Sequence, residues 1–206
     1  MKGYYNDPQA TAQAIRDGDA DTAIEVLAAG GEHIEWVPTE SPADILRKIL
    51  VPHALALREA AVLGDAPAAL ATLEEHRLLC AHRRGPYGVA YWNRQVERWL
   101  AEQTDMPLWA PWYPGRPVLV TANDYGLGLY NGDTGVAVVR DGVLRVAMAG
   151  QVELATTRLA DIDTVHAMTI HKSQGSQSAE VTVLLPPPDS RLLTRELLYT
   201  AVTRAR

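Results

Sequence analysis

Cysteine is nearly missing from this chain. Cys80 is the only one in 206 residues, which excludes an intrachain disulfide and a thiolate zinc site and suits a reducing, cytoplasmic setting. Lysine is scarce as well. Lys2, Lys48 and Lys172 are the only ones and none follows a glycine, so no Gly-Lys-Ser/Thr phosphate loop can be drawn. Long apolar runs are also lacking. Ile49-Leu50-Val51 and Val181 to Leu185 fall well short of the roughly 18 residues of a membrane span, and the polar N-terminus has no signal-peptide core. His33, His53, His76, His82, His166 and His171 show no helical metal-site spacing, so no metal site is expected.

What is present describes a globular α/β chain. Apolar residues make up 47% and charged residues 21%, a balance that excludes disordered, collagen-like and coiled-coil classes. The net charge of −6 hides an asymmetry. Residues 1–75 carry five basic against thirteen acidic side chains, residues 76–98 five against one, and residues 171–206 five against three. Solvated faces are the simpler account of the two basic islands. A polyanion site is the alternative, because counterion release depends on cations close to phosphates rather than on the overall sum.

The pattern predicts helices over 8–17, from Asp21 through Ala29, from Ser41-Pro42 to Gly64 with Pro52 kinking or dividing the element, and over 66–75. Arg77 to Ala81 reads as a buried parallel strand, followed by a polar turn and an amphipathic helix over 88–102. The Pro-rich stretch 104–116 reads as a linker. Beyond it the pattern is all β, with Val118 to Thr121, Val136 to Val139, an Asp141-Gly142 tight turn, and Val143 to Met148, suggesting a small antiparallel barrel packed on its host. Val165 to Ile170 and Val181 to Leu185 return to strand, and Thr194 onward reads as a helix running to Arg206, where the pattern stops uncapped, as at a cut end or a truncated gene.

Two segments carry candidate chemistry. In Thr169-Ile170-His171-Lys172-Ser173-Gln174-Gly175-Ser176-Gln177 a strand gives way to small, polar and basic residues, at the carboxyl end where α/β sheets bind ligands. It reads equally as an ordinary strand-to-helix turn. In Glu196 to Arg206 a helix presents two arginines, suited to a transferring phosphoryl group or simply to the helix dipole. Trp92 and Trp99 lie on one helix stripe and read as core, Trp109 and Trp112 as packing anchors in the linker, and Tyr125 and Tyr130 as turn packing before strand-separation contacts.

Together the two segments resemble motifs V and VI of superfamily 1 helicases, and are most similar to the exodeoxyribonuclease V alpha-subunit, or RecD-type, family. Ala14 to Asp19, Arg77 to Arg83, Gly85-Pro86-Tyr87-Gly88 through Asn93, Gly115 to Val118, Asn123-Asp124-Tyr125, Gly128 to Asp133 and Gly135 extend the resemblance over most of residues 10–206. The resemblance implies a 5′-to-3′ DNA helicase of double-strand break repair and recombination, built from two RecA-like motor domains. This chain would be the second of them (1–112 and 161–206), interrupted by a Src-homology-3-like barrel (113–160). It further implies Arg204 as the catalytic arginine finger on ATP, with Gly175 and Gln177 also at the nucleotide. Thr169, His171, Ser173, Arg83 and Asn93 would lie at DNA. Gln177 departs from the pattern, since an acidic residue is commoner there.

With no phosphate loop, ATP and Mg²⁺ would be held mainly by the first motor domain, and the chain alone should not hydrolyse ATP. Implied partners are single-stranded DNA, duplex ends, the first motor domain, and the exodeoxyribonuclease V beta and gamma subunits, with no membrane. A noncatalytic subunit-docking module, or passive single-strand binding by the barrel, is the competing expectation.

Overall fold

The computed structural model describes residues 8–38, 41–105, 107, 110–150 and 152–206. Trp109 lies outside them. Six α-helices and eight strands follow in the order α1 (Pro8–Asp17), α2 (Ala20–Ala29), α3 (Ala43–Val62), α4 (Ala66–Glu75), β1 (His76–Cys80), α5 (Val89–Gln103), β2 (Pro117–Val120), β3 (Thr134–Arg140), β4 (Val143–Met148), β5 (Glu153–Ala155), β6 (Ile162–Thr164), β7 (Ala167–Thr169), β8 (Glu180–Leu184) and α6 (Arg195–Val202). Among the described residues no helix is long and apolar enough to cross a membrane.

The strands form two sheets. The first is parallel in the order β7-β1-β8, with Leu78 opposite Ala167 on one side and Thr182 on the other. β1 is the central strand and all five of its residues are buried: Leu78, Leu79 and Cys80 as the apolar pattern predicts, and His76 and Arg77 with them. The second sheet is antiparallel in the order β5-β4-β3-β2-β6. Asp141, at φ 50°, and Gly142 make the two-residue hairpin between β3 and β4.

Three expectations meet a different arrangement. The antiparallel sheet takes in β6 at 162–164, past residue 160, because Val118 to Val120 pair with Ile162 to Thr164. No ladder joins its edge strands β5 and β6 among the described residues, so the pairing is an open sheet rather than a closed barrel. The last helix ends at Val202. There the Thr203 hydroxyl donates to the Tyr199 and Thr200 carbonyls, and the chain leaves the helix to bridge Ser178 in parallel at Ala205.

Pro52 neither divides nor ends α3, which crosses two of the hydrophobic clusters as one helix. Leu46, Leu50, Val51 and Ala54 pack on the parallel-sheet core with Leu78, Trp92, Trp99 and Ala167. One turn further, Leu57 and Ala61 pack with Val136, Val138 and Ala147 of the antiparallel sheet, alongside Ala69 and Leu73 of α4. Burial on both sides of Pro52 offsets the hydrogen bond that proline cannot donate. Trp92 and Trp99 are core, as their spacing predicts.

Candidate functional site

The turn after β7 is built from its own side chains. Thr169 Oγ1 accepts from Lys172 N at 3.3 Å and caps a short 3₁₀ turn over Ile170–Ser173. Ser173 Oγ donates to the Ile170 carbonyl at 2.7 Å, and Ser176 Oγ donates to the Ser173 carbonyl at 2.9 Å. Gly175 then takes φ +87°, a left-handed conformation that side-chain-bearing residues rarely adopt, with no atom within 4 Å of where a Cβ would sit.

The segment following α6 is laced onto this turn. Ser178 N donates to the Arg204 carbonyl and Arg206 N donates to the Ser178 carbonyl, both at 3.0 Å. Ser178 itself is buried. Arg204 is fixed by neutral acceptors: Nε donates to the Thr200 carbonyl at 3.1 Å, Nη1 to the Ser176 carbonyl at 3.3 Å, and Nη2 to Thr203 Oγ1 at 3.1 Å. It makes no ion pair among the described residues. A guanidinium has five N–H donors, so two remain free and the charge is uncompensated. Glu74, Gly175, Ser176, Gln177, Arg204 and Arg206 line one open cavity of about 440 Å³. We call it the rim. Its guanidinium groups, glycine turn and side-chain amide suit phosphate oxygens. It does not suit a metal ion: its one carboxylate, Glu74, is paired with Arg206, and no group of three His, Cys, Asp or Glu gathers among the described residues.

A second cavity, of about 350 Å³, opens between the N-terminal half of α5, the carboxyl end of β7 and the antiparallel sheet. Arg83, Arg84, Arg94 and Lys172 bring four positive charges to it, against Glu97 and Asp163. Lys172 Nζ pairs with Asp163 at 3.1 Å, while the three arginines form no ion pair among the described residues. Arg83 is held in place because its carbonyl and that of His82 accept from Ala90 N and Val89 N at the start of α5.

The expected nucleic-acid residues divide. Arg83, Asn93 and Thr169 line this groove. His171 is exposed but lines neither cavity. Ser173 is 1% exposed and spends its hydroxyl on its own turn, so it offers nothing to a phosphate. Asn93 is a structural tie. Its Nδ2 donates to the Thr164 and Ala167 carbonyls at 2.8 and 3.2 Å, and its Oδ1 accepts from Ala167 N at 2.8 Å, satisfying the backbone where the antiparallel sheet hands over to edge strand β7. Beside it the Tyr113 hydroxyl donates to Glu97 Oε1 at 3.1 Å. Having one proton, it must therefore accept from His166 Nε2–H at 3.0 Å, which fixes that tautomer. Glu74, Ser176, Arg84, Arg94 and Lys172 were given no role by sequence reasoning; Lys172 and Ser176 lie in the segment it singled out and Arg84 and Arg94 in a basic island, while nothing pointed to Glu74.

The UvrD-like helicase C-terminal domain matches residues 164–206, the stretch holding the 3₁₀ turn, the rim loop and Arg204. The chain is 68% identical over 197 residues to the RecBCD enzyme subunit RecD of Mycolicibacterium smegmatis, and 64% identical over 198 residues to that of Mycobacterium tuberculosis. These alignments cover 96% and 95% of this chain and 35% and 34% of the relatives. The chain therefore belongs to the RecD family and corresponds to the C-terminal part of its members. It spans about a third of the length of the curated relatives it matches. Among solved structures, a Bacteroides Pif1 helicase in complex with ADP-AlF3 and single-stranded DNA is similar at 15% identity and a TM-score of 0.41, over 84% of this chain and 58% of that one.

Proposed function

We propose that this chain is the second, RecA-like motor domain of an ATP-dependent 5′-to-3′ DNA helicase of the RecD type, acting in double-strand break repair and recombination. The antiparallel sheet would be an insertion into it. On this reading residues 169–177 and 196–206 serve as motifs V and VI. Arg204 is the arginine finger, placing its two free N–H groups on the γ-phosphate as charge develops there during hydrolysis. Gly175 and Gln177 border the same nucleotide, which is held with Mg²⁺ mainly by the first motor domain. A single DNA strand lies along the Arg83, Arg84, Arg94 and Lys172 groove, its phosphates replacing solvent on three unpaired guanidinium groups. The proposed partners are that first motor domain, duplex ends and single strands, and the beta and gamma subunits of an exodeoxyribonuclease V assembly.

The observation that carries this reading is the union, on one rim, of a glycine turn and an arginine nearly thirty residues later, with Arg204 held by carbonyls instead of a carboxylate.

The test is DNA-stimulated ATP hydrolysis by the full-length protein carrying Arg204→Ala. Turnover is expected to fall by about 10²-fold or more while single-strand affinity is retained. Unchanged turnover would favour the docking or passive strand-binding alternative.

A further inference from the structure

The rim holds a carboxylate that works against an anionic ligand. Glu74 sits at the C-terminal end of α4, where the helix dipole is already negative, and the Glu74 carbonyl accepts from Ala179 N at 3.2 Å, tying that helix end to the strand-side wall of the cavity. Its side chain shares the cavity with Arg204, Gly175 and Gln177. A free carboxylate there would repel phosphate oxygens and compete with them for the free Arg204 donors.

Arg206 intercepts it. Its Nη2 donates to Glu74 Oε2 at 3.4 Å, and its backbone N–H is fixed on the Ser178 carbonyl at 3.0 Å, so the guanidinium is anchored from the same bridge that places Arg204. The two arginines thus divide the work. Arg204 bonds only neutral acceptors, and Arg206 takes the one acid. Counting formal charge, two arginines against one glutamate leave the rim at +1, and loss of Arg206 leaves it at zero.

We propose that Arg206 is a positioning residue for nucleotide binding: it neutralises Glu74 and keeps that carboxylate off Arg204 and off the polyphosphate, so that the rim stays positive. This rests on the reading of the rim as a nucleotide site. It also accounts for a sequence that spends two arginines two positions apart, where phosphate contact alone calls for one.

The experiment is a double-mutant cycle in the full-length protein, reading KM for ATP and kcat separately under DNA-stimulated conditions. Arg206→Ala is expected to raise KM by about three- to tenfold with kcat little changed, the size suited to a solvent-exposed charge pair acting on a polyanion. Glu74→Gln combined with Arg206→Ala restores the +1 rim and is expected to return KM to within about twofold of the parent, and Arg206→Lys should do the same.

If Arg206→Ala leaves KM unchanged, or if its defect persists in the double variant, Arg206 does not act through Glu74 and the proposal is overturned. Failure of the underlying reading looks different, because Arg204→Ala would then leave kcat intact. Thermal midpoints of all variants, expected within a few degrees of the parent, identify a merely structural loss.

Discussion

At the scale of single residues, the chemistry turns on what each polar group already bonds. Arg204 and Asn93 are both held by backbone carbonyls, yet Arg204 keeps two donors and a net charge whereas Asn93 has no N–H left to give. Asn93→Ala would strand the Ala167 N–H and two carbonyls at the junction between the sheets. It is expected to destabilise the chain by about 2–4 kcal/mol in urea unfolding; a cost below about 0.5 kcal/mol would show that water satisfies those groups. This distinction was illegible in the sequence. The segment from Arg77 to Asn93 carried the resemblance correctly, but whether a particular amide or hydroxyl faces a ligand or its own backbone depends on neighbours distant in the chain, Thr164 and Ala167 for Asn93. Ser173 shows the same dependence, since its acceptor is the carbonyl three residues earlier and only the 3₁₀ turn brings the two together.

At the scale of elements, the helices and strands follow their local patterns closely, and departures occur where packing overrules a local signal. α1, α2 and α4 fall close to where the sequence pattern predicts them, and the structure adds two caps, Asp19 and Asp65 accepting from Thr22 N and Ala68 N at 3.0 Å. α3 runs through Pro52 because both its halves are buried. The turn from α3 into α4 is equally constrained. Gly64 has φ +72°, a Cβ there would lie 2.7 Å from the Val139 carbonyl oxygen, and its own carbonyl accepts from the Arg140 guanidinium. Gly64→Ala therefore combines backbone strain with a clash at the contact between the helices and the antiparallel sheet. A loss of about 2–3 kcal/mol is expected by chemical denaturation. A neutral result would mean that the helix pair and the sheet can separate without penalty.

At the scale of the whole molecule, the two sheets share α3, and histidines buried in the packed structure make its stability depend on protonation. Burial pushes His76, bonded to Thr182 at 2.8 Å, down to about 4, and His166, under the Tyr113 hydroxyl, down to about 3. Both lie below the ordinary value of 6.5, so the unfolded chain takes up these protons first as pH falls. Their contribution is present above about pH 6.5 and is lost as pH drops toward 4 and then 3, with a slope of up to about 1.4 kcal/mol per pH unit for each histidine. Urea unfolding free energies measured from pH 7.5 to 4.5 should show this decline, and His166→Gln should make it shallower while His76 keeps its share; a pH-independent parent would contradict the lowered values of both rings. The amino-acid sequence by itself determined the helices, the central strands of both sheets and the hairpin at Asp141-Gly142, because periodicity and turn chemistry act over a few neighbouring residues; the three-residue strands β5 and β6 were too short to show a pattern. Only the tertiary structure decided that Glu74 enters the rim, that Arg206 meets it, and that Asn93 ties down a sheet edge, because those pairings join residues 71 to 132 positions apart and exist only once the cores bring α4, α5 and the last turn together.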